Sequence, residues 1–423
     1  MYTKHTLSNG LRVILSPQHD TKSVTLLVLY GVGSRYEKKR VNGISHVVEH
    51  MMFKGTPKRP NTLAISKELD AVGAEYNAFT GKDYTGYYIK IEASHLPMAM
   101  DMLSDMLLNS KYDAKELERE KKVICEEIHM YKDNPLMHID TLLEMELFKG
   151  SSLGWDIAGD DASVTGMSRE DLVAYRGQFY VPDNACVGLA GNYDPEILTA
   201  VEKHFGEAVW KKGGKVTPFK KHVYDVQKKP KVVVEFKDSE QVQCALGFPA
   251  YEYTHKDAPA LTLLATILGG TMSSRLFIQV RERLGLAYTI RASVQNYQDT
   301  GMVMIQSGLD KTRIQKAITV ILKELETMKE KGVTEGELSR AKDHLKGKLA
   351  LRLEDSEAVV SWYLNQEILT DETLTPEQKM DTIYAVTSAD IKRVAKDVFK
   401  KSKMTVAVIG PFKDKSVIEK MVK

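Results

Sequence analysis

SREDLVAYRGQFYVPDNACVGLAGNY, residues 168–193, lies without a gap over TSADIKRVAKDVFKKSKMTVAVIGPF, residues 387–412, at an offset of 219. The pairs Asp171/Asp390, Leu172/Ile391, Leu189/Val408 and Gly191/Gly410 match. Glu116–Leu117 lies over Glu337–Leu338 at the nearby offset of 221. Self-similarity at one long offset is the mark of a duplication. The expected fold is therefore α+β: two similar domains of about 200 residues, each a largely antiparallel sheet with helices packed on one face.

Working outward, residues 5–16 read as a hairpin around Asn9-Gly10, and residues 23–29 as a buried strand. Residues 44–53 have helical period and stop at Gly55 and Pro57. Residues 63–72 and 96–108 read as helices, 75–91 as strand or hairpin, and 113–131 as a long charged helix. Residues 211–230, with Gly213-Gly214, Pro218 and Pro230, read as a linker. The expected division is 1–210, a linker over 211–230, and 231–423. Beyond the linker the pattern restarts with a strand at 232–236 and long helices at 313–331 and 334–352.

Composition narrows the function. The chain has 423 residues, 43% hydrophobic and 27% charged, with 59 Lys plus Arg against 57 Asp plus Glu. This balance asks for no nucleic-acid partner. The densest basic stretch, 211–231, carries eight lysines and one aspartate and reads as solvated linker. Cys125, Cys186 and Cys244 form no CxxC pair, which argues against a disulfide framework or a cysteine zinc site. No run approaches the roughly 18 apolar residues of a membrane span. The start has no apolar stretch of signal-peptide length. A soluble cytoplasmic protein without a membrane partner is the expectation.

The chemistry centres on His46-Val47-Val48-Glu49-His50. Histidines at i and i+4 share one helix face, so both imidazoles can reach one ion. Glu49 beside them can take a proton from water that the ion activates. HxxEH is a zinc-peptidase signature in inverted order. A catalytic zinc site needs a third protein ligand. The helix around LEREKKVICEEIHMY offers Glu118, Glu120, Glu126 and Glu127, and spacing alone leaves the choice open.

HVVEH at 46–50, GAEYNAFTGKDYTGYY at 73–88, EREKKVICEEI at 118–128 and SSRLFIQVRERLGLAY at 273–288 together resemble the pitrilysin/insulinase family of zinc peptidases, in particular its mitochondrial-processing-peptidase-like branch. The likeness covers essentially the whole chain. It implies one zinc ion per chain held by His46, His50 and Glu127, with Glu120 behind the ligands and Glu126 as the runner-up ligand. It implies Glu49 as general base, and Arg281 with Tyr288 as a pair that binds substrate near the scissile bond. It implies Asn77, Ala78 and Phe79 as an edge strand on which an extended peptide is laid. Residues 231–423 have no HxxEH, and an offset of 221 sets Ala341 opposite Glu120 and Lys348 opposite Glu127. One domain is thus expected to hold metal and the other substrate.

The implied function is a zinc endopeptidase that hydrolyses peptides or unfolded segments. Larger members of the family join two such chains into one clamshell. The resemblance therefore implies a homodimer with shared active sites, or pairing with an inactive relative. The rivals are a non-catalytic scaffold of the same family and a zinc-binding interaction module.

Overall fold

The offset of 219 reappears as geometry. The computed structural model describes residues 2–214, 216–224, 227–370 and 372–423, so Lys215, Asp225 and Val226 of the expected linker lie outside the described residues. Helix Arg169–Phe179 opens with a capping box in which Ser168 and Asp171 bond each other's backbone N–H, and helix Ser388–Val398 opens the same way with Thr387 and Asp390. The strands that follow, Ala185–Gly191 and Thr405–Gly410, are buried throughout.

The first sheet contains β1 (Thr3–Thr6), β2 (Arg12–Pro17), β3 (Ser23–Tyr30), β4 (Glu75–Thr80), β5 (Thr85–Glu92) and β6 (Ala185–Gly191), in the order β1-β2-β6-β3-β5-β4. The second contains β7 (Lys231–Phe236), β8 (Gln241–Ala250), β9 (Ala287–Asn296), β10 (Gly301–Asp310) and β11 (Thr405–Gly410), in the order β7-β11-β8-β10-β9. Each sheet has one parallel pair, β2/β6 and β7/β11, and is otherwise antiparallel. Strands β2, β6, β3, β5 and β4 thus correspond to β7, β11, β8, β10 and β9. The α+β duplication stands, with β1 as an addition to the first copy. The Asn9-Gly10 turn closes β1 on β2, and Gly10 supplies the φ of +90° that the turn requires.

The chain divides into two compact units, and not at the linker alone. Unit 1 is 1–128, 155–220 and 349–375; unit 2 is 129–154, 221–348 and 376–423. Of the four crossings besides the one at the linker, two fall within long helices, Ala114–Asp133 and Glu335–Arg352. Helix Pro135–Leu147 therefore belongs to the second sheet, and helix Ser356–Leu369 to the first. The reason lies in the sheets. Alternate residues of a strand face opposite ways. Val24, Leu26, Val28 and Tyr30 of β3 enter the main core of unit 1. Leu27 and Leu29 face the other way, with Ile14, Cys186 and Ala190, and are covered by Val359, Val360, Tyr363 and Leu364. The helix can lie this close because residue 188 is glycine: a Cβ there would come within 2.3 Å of Leu364 Cδ1. In unit 2, Ile139 and Leu143 cover Ala245, Met304, Ala407 and Ile409 in the same manner. Most helices still pack on one face of each sheet; the opposite face takes a single helix from the other half of the sequence. Among the described residues, no helix is long and apolar enough to cross a membrane.

Candidate metal centre

Helix Ile44–Met52 buries Ile44, Val47, Val48, Met51 and Met52. That apolar stripe turns His46, Glu49 and His50 together toward helix Ala114–Asp133. The N-terminus of the helix is held by the buried carboxyl group of Glu37. Its Oε2 accepts from Gly43 N at 2.7 Å and Asn42 Nδ2 at 2.9 Å, and its Oε1 from Ser45 N at 2.9 Å. Burial pushes this carboxyl up to about 7 against those three bonds. Gly43 has φ +95°, and a Cβ there would meet the Ala158 carbonyl at 2.4 Å.

The helix faces converge. His46 Nε2 and His50 Nε2 lie 3.1 Å apart, and Glu127 Oε2 lies 3.7 and 3.6 Å from them. These three side chains could hold a metal ion, their ligand atoms all lying within 4.8 Å of one another. The other ring nitrogen of His50, Nδ1, lies 2.8 Å from Glu120 Oε1, and Lys54 Nζ lies 2.6 Å from Glu120 Oε2. A carboxylate on the far nitrogen fixes the tautomer that leaves Nε2 free as a ligand. His46 departs from that pattern: its Nδ1 is buried without a hydrogen-bond partner among the described residues. Burial, reinforced by His50, holds the His46 imidazole down at about 3, so it is neutral as a ligand must be. Burial also works to raise Glu120, but its bonds to His50 and Lys54 carry it below the ordinary carboxylate value.

Glu49 accepts a short hydrogen bond from Thr80 Oγ1. Its carboxyl lies above the usual range because burial outweighs that bond. Thr80 closes β4, the edge strand that also carries Asn77, Ala78 and Phe79. These three pair with Tyr88, Tyr87 and Gly86 on β5, and among the described residues the other edge of β4 has no strand beside it. Glu126, on the same helix as Glu127, is exposed, and Glu118 pairs with Lys121 at 2.6 Å. In unit 2, Arg281 lies on the turn Phe277–Arg283, its guanidinium 4.7 Å from the Phe277 ring centroid and 5.8 Å from that of Tyr288, which is 71% exposed. The structure therefore brings Arg281 and Tyr288 together. Lys54, Thr80 and Glu37 escaped the sequence reading. Each is one polar residue with no spacing rule, and only Lys54, four beyond His50, carried a hint.

Comparison with known proteins gives the family and the fold. The family model described as Insulinase (Peptidase family M16) matches residues 12–161, and that described as Peptidase M16 inactive domain matches 166–345. An uncharacterized zinc protease of Bacillus subtilis (strain 168) is 35% identical over 411 residues, which cover 97% of this chain and 98% of that one. A protease from Helicobacter pylori has the same fold, with a TM-score of 0.91 at 24% identity over 97% of this chain and 99% of that one. A peptidase M16 inactive domain from Pseudomonas fluorescens gives a TM-score of 0.90 at 18% identity, over 97% and 98%.

Proposed function

Because the chain belongs to the insulinase family of peptidases, M16, we propose that it is a zinc-dependent endopeptidase that hydrolyses peptides or unfolded segments. One observation carries this reading: two imidazole nitrogens and a carboxylate oxygen converge within 4.8 Å, with Glu49 on the same helix turn. His46, His50 and Glu127 would hold one zinc ion, which when bound supplies a Lewis acid and makes water a nucleophile near neutral pH. Two imidazole nitrogens and a carboxylate suit that ion, and three protein ligands leave a position open. The B. subtilis relative is named a zinc protease.

The residues of the chain divide the remaining work. Glu120 orients His50 and is itself held by Lys54. Glu49 takes the proton of the attacking water on a carboxylate oxygen and returns it to the leaving amine nitrogen. Its raised pKa makes it a stronger base than an exposed glutamate, and the Thr80 hydroxyl aims it. An extended peptide would add to the free edge of β4 along Asn77, Ala78 and Phe79, which reads backbone shape more than side-chain identity. Arg281 and Tyr288 would donate to the substrate carbonyl as charge builds on its oxygen. The simplest assembly is a homodimer in which this pair serves the partner's zinc.

The test is a peptide-library digest by wild-type protein, with and without a zinc chelator, beside Glu49→Gln. The expectation is cleavage that the chelator abolishes, and a loss of at least about 100-fold in Glu49→Gln with zinc retained. Cleavage by Glu49→Gln at the wild-type rate would remove Glu49 as base. Absence of any chelator-sensitive cleavage would favour a scaffold.

A further inference from the structure

The duplication that pairs the two sheets also pairs the candidate metal centre with a cavity in unit 2. Helices Ala114–Asp133 and Glu335–Arg352 start 221 residues apart, which sets Ala341 in the place of Glu120 and Lys348 in that of Glu127. In unit 1 this helix meets helix Ile44–Met52 through the His50–Glu120 bond. In unit 2 a cavity of about 110 Å³ opens at the corresponding place, between Thr266 on one side and Arg340, Ala341 and His344 on the other. Thr271 and Ser273 complete its mouth.

The electrostatic sign of this place is reversed. Its one lining carboxylate, Glu337, is already taken: it accepts from Arg275 at 2.7 and 2.8 Å and from Thr334 N at 2.8 Å. Arg340, His344 and Lys348 are spaced four apart and share one helix face. All three are exposed, and none makes an ion pair or side-chain hydrogen bond among the described residues. Thr271 Oγ1 and Ser273 Oγ stand 3.1 Å apart. One of them donates to the other, so one hydroxyl hydrogen remains to offer. Where unit 1 gathers two imidazoles and carboxylates, unit 2 lines its cavity with a guanidinium, an imidazole and hydroxyls, and its one carboxylate, Glu337, is occupied.

We propose that this cavity binds a small oxyanion, a phosphate or a peptide carboxylate, with Arg340 as its charge and the His344 ring N–H and the Thr271–Ser273 hydroxyls as further donors. A guanidinium suits such a group because its planar N–H donors match two oxygens at once. Lys348, one turn further along the helix, adds attraction without contact. The duplicated cleft has thus kept its opening and exchanged a cation for an anion.

The experiment is a calorimetric titration of inorganic phosphate into the full-length protein and into the double variant Arg340→Gln/His344→Gln. Phosphate taken up at the metal centre is common to both proteins and cancels. The expectation is saturable binding in the wild type that weakens at least ten-fold in the double variant, with metal content and thermal midpoint in phosphate-free buffer unchanged. An acetylated tetrapeptide, added as free acid and as C-terminal amide, separates the two sources. Displacement of phosphate by the acid alone assigns peptide carboxylates as ligands, and failure of both leaves phosphate. No saturable binding of phosphate or acid to the wild type, or equal affinity in the double variant, would overturn the proposal.

Discussion

Glu120 Oε1 sits 2.8 Å from His50 Nδ1, and the same carboxylate is gripped by Lys54 at 2.6 Å. The His50 nitrogen that faces His46 and Glu127 is therefore aimed by a residue outside that cluster. Glu120→Ala should lower zinc affinity by about 10–100-fold with the fold intact. Lys54→Met, which leaves the His50–Glu120 bond in place, should lower it less. Competition against a chromophoric chelator measures both, and an unchanged affinity in Glu120→Ala would reduce that bond to a surface contact.

Glu127 and Glu126 are neighbours that the helix sends in different directions. Glu127 Oε2 lies 3.7 and 3.6 Å from the two histidines, whereas Glu126 is exposed. Glu127→Gln should therefore lose most of its zinc while Glu126→Gln keeps a full equivalent. Metal analysis of the purified variants decides it; equal occupancy would refute Glu127 as the third ligand.

Glu37 gives a pH signature. Its carboxyl, raised by burial to about 7 from an ordinary 4.5, holds its proton in the folded state and loses it more readily in the unfolded chain. The folded state then binds more protons between those two values, so this contribution is full below pH 4.5 and is lost as pH rises to about 7. Its size is on the order of 3 kcal/mol. Urea unfolding of wild type and Glu37→Gln at pH 5 and pH 7.5 should show their stability difference shifting against the wild type at the higher pH. A difference that does not move with pH would mean that Glu37 stays ionised throughout.

The proposed sharing of active sites predicts complementation. A chain carrying Glu49→Gln and a chain carrying Tyr288→Phe should each be inactive alone. Co-expressed with two tags and purified as heterodimers, they should recover activity, because each mixed dimer holds one complete site of its two. No recovery would leave each chain acting alone.

Much of this was legible in the sequence because its signals are local. Asn9-Gly10 names its own turn, and HVVEH names its own helix face. The pairs Asp171/Asp390, Leu172/Ile391, Leu189/Val408 and Gly191/Gly410 carried the duplication, and the structure turns the first of them into matching capping boxes. The cover helices were not legible. Ser356–Leu369 buries Ser356, Ala358, Val359, Val360, Ser361, Tyr363, Leu364, Glu367 and Leu369, positions that run round the helix and leave no single apolar stripe. Its partners, Ile14, Leu27 and Cys186, lie more than 150 residues away in sequence. Thr80 and Lys54 were missed because a lone hydroxyl or ammonium has no period. Only packing shows which carboxylate it will meet.

The exchanged helices also set a schedule for synthesis. Strand β6 completes the first sheet at Gly191, yet the face formed by Ile14, Leu27, Leu29, Cys186 and Ala190 waits for residues 356–369. A ribosome adding roughly 5–20 residues per second leaves that face bare for on the order of ten seconds. The nascent first unit thus emerges as a half-covered apolar sheet, and whatever shields it in that interval, a chaperone or the ribosome surface, is part of how this chain reaches its native state.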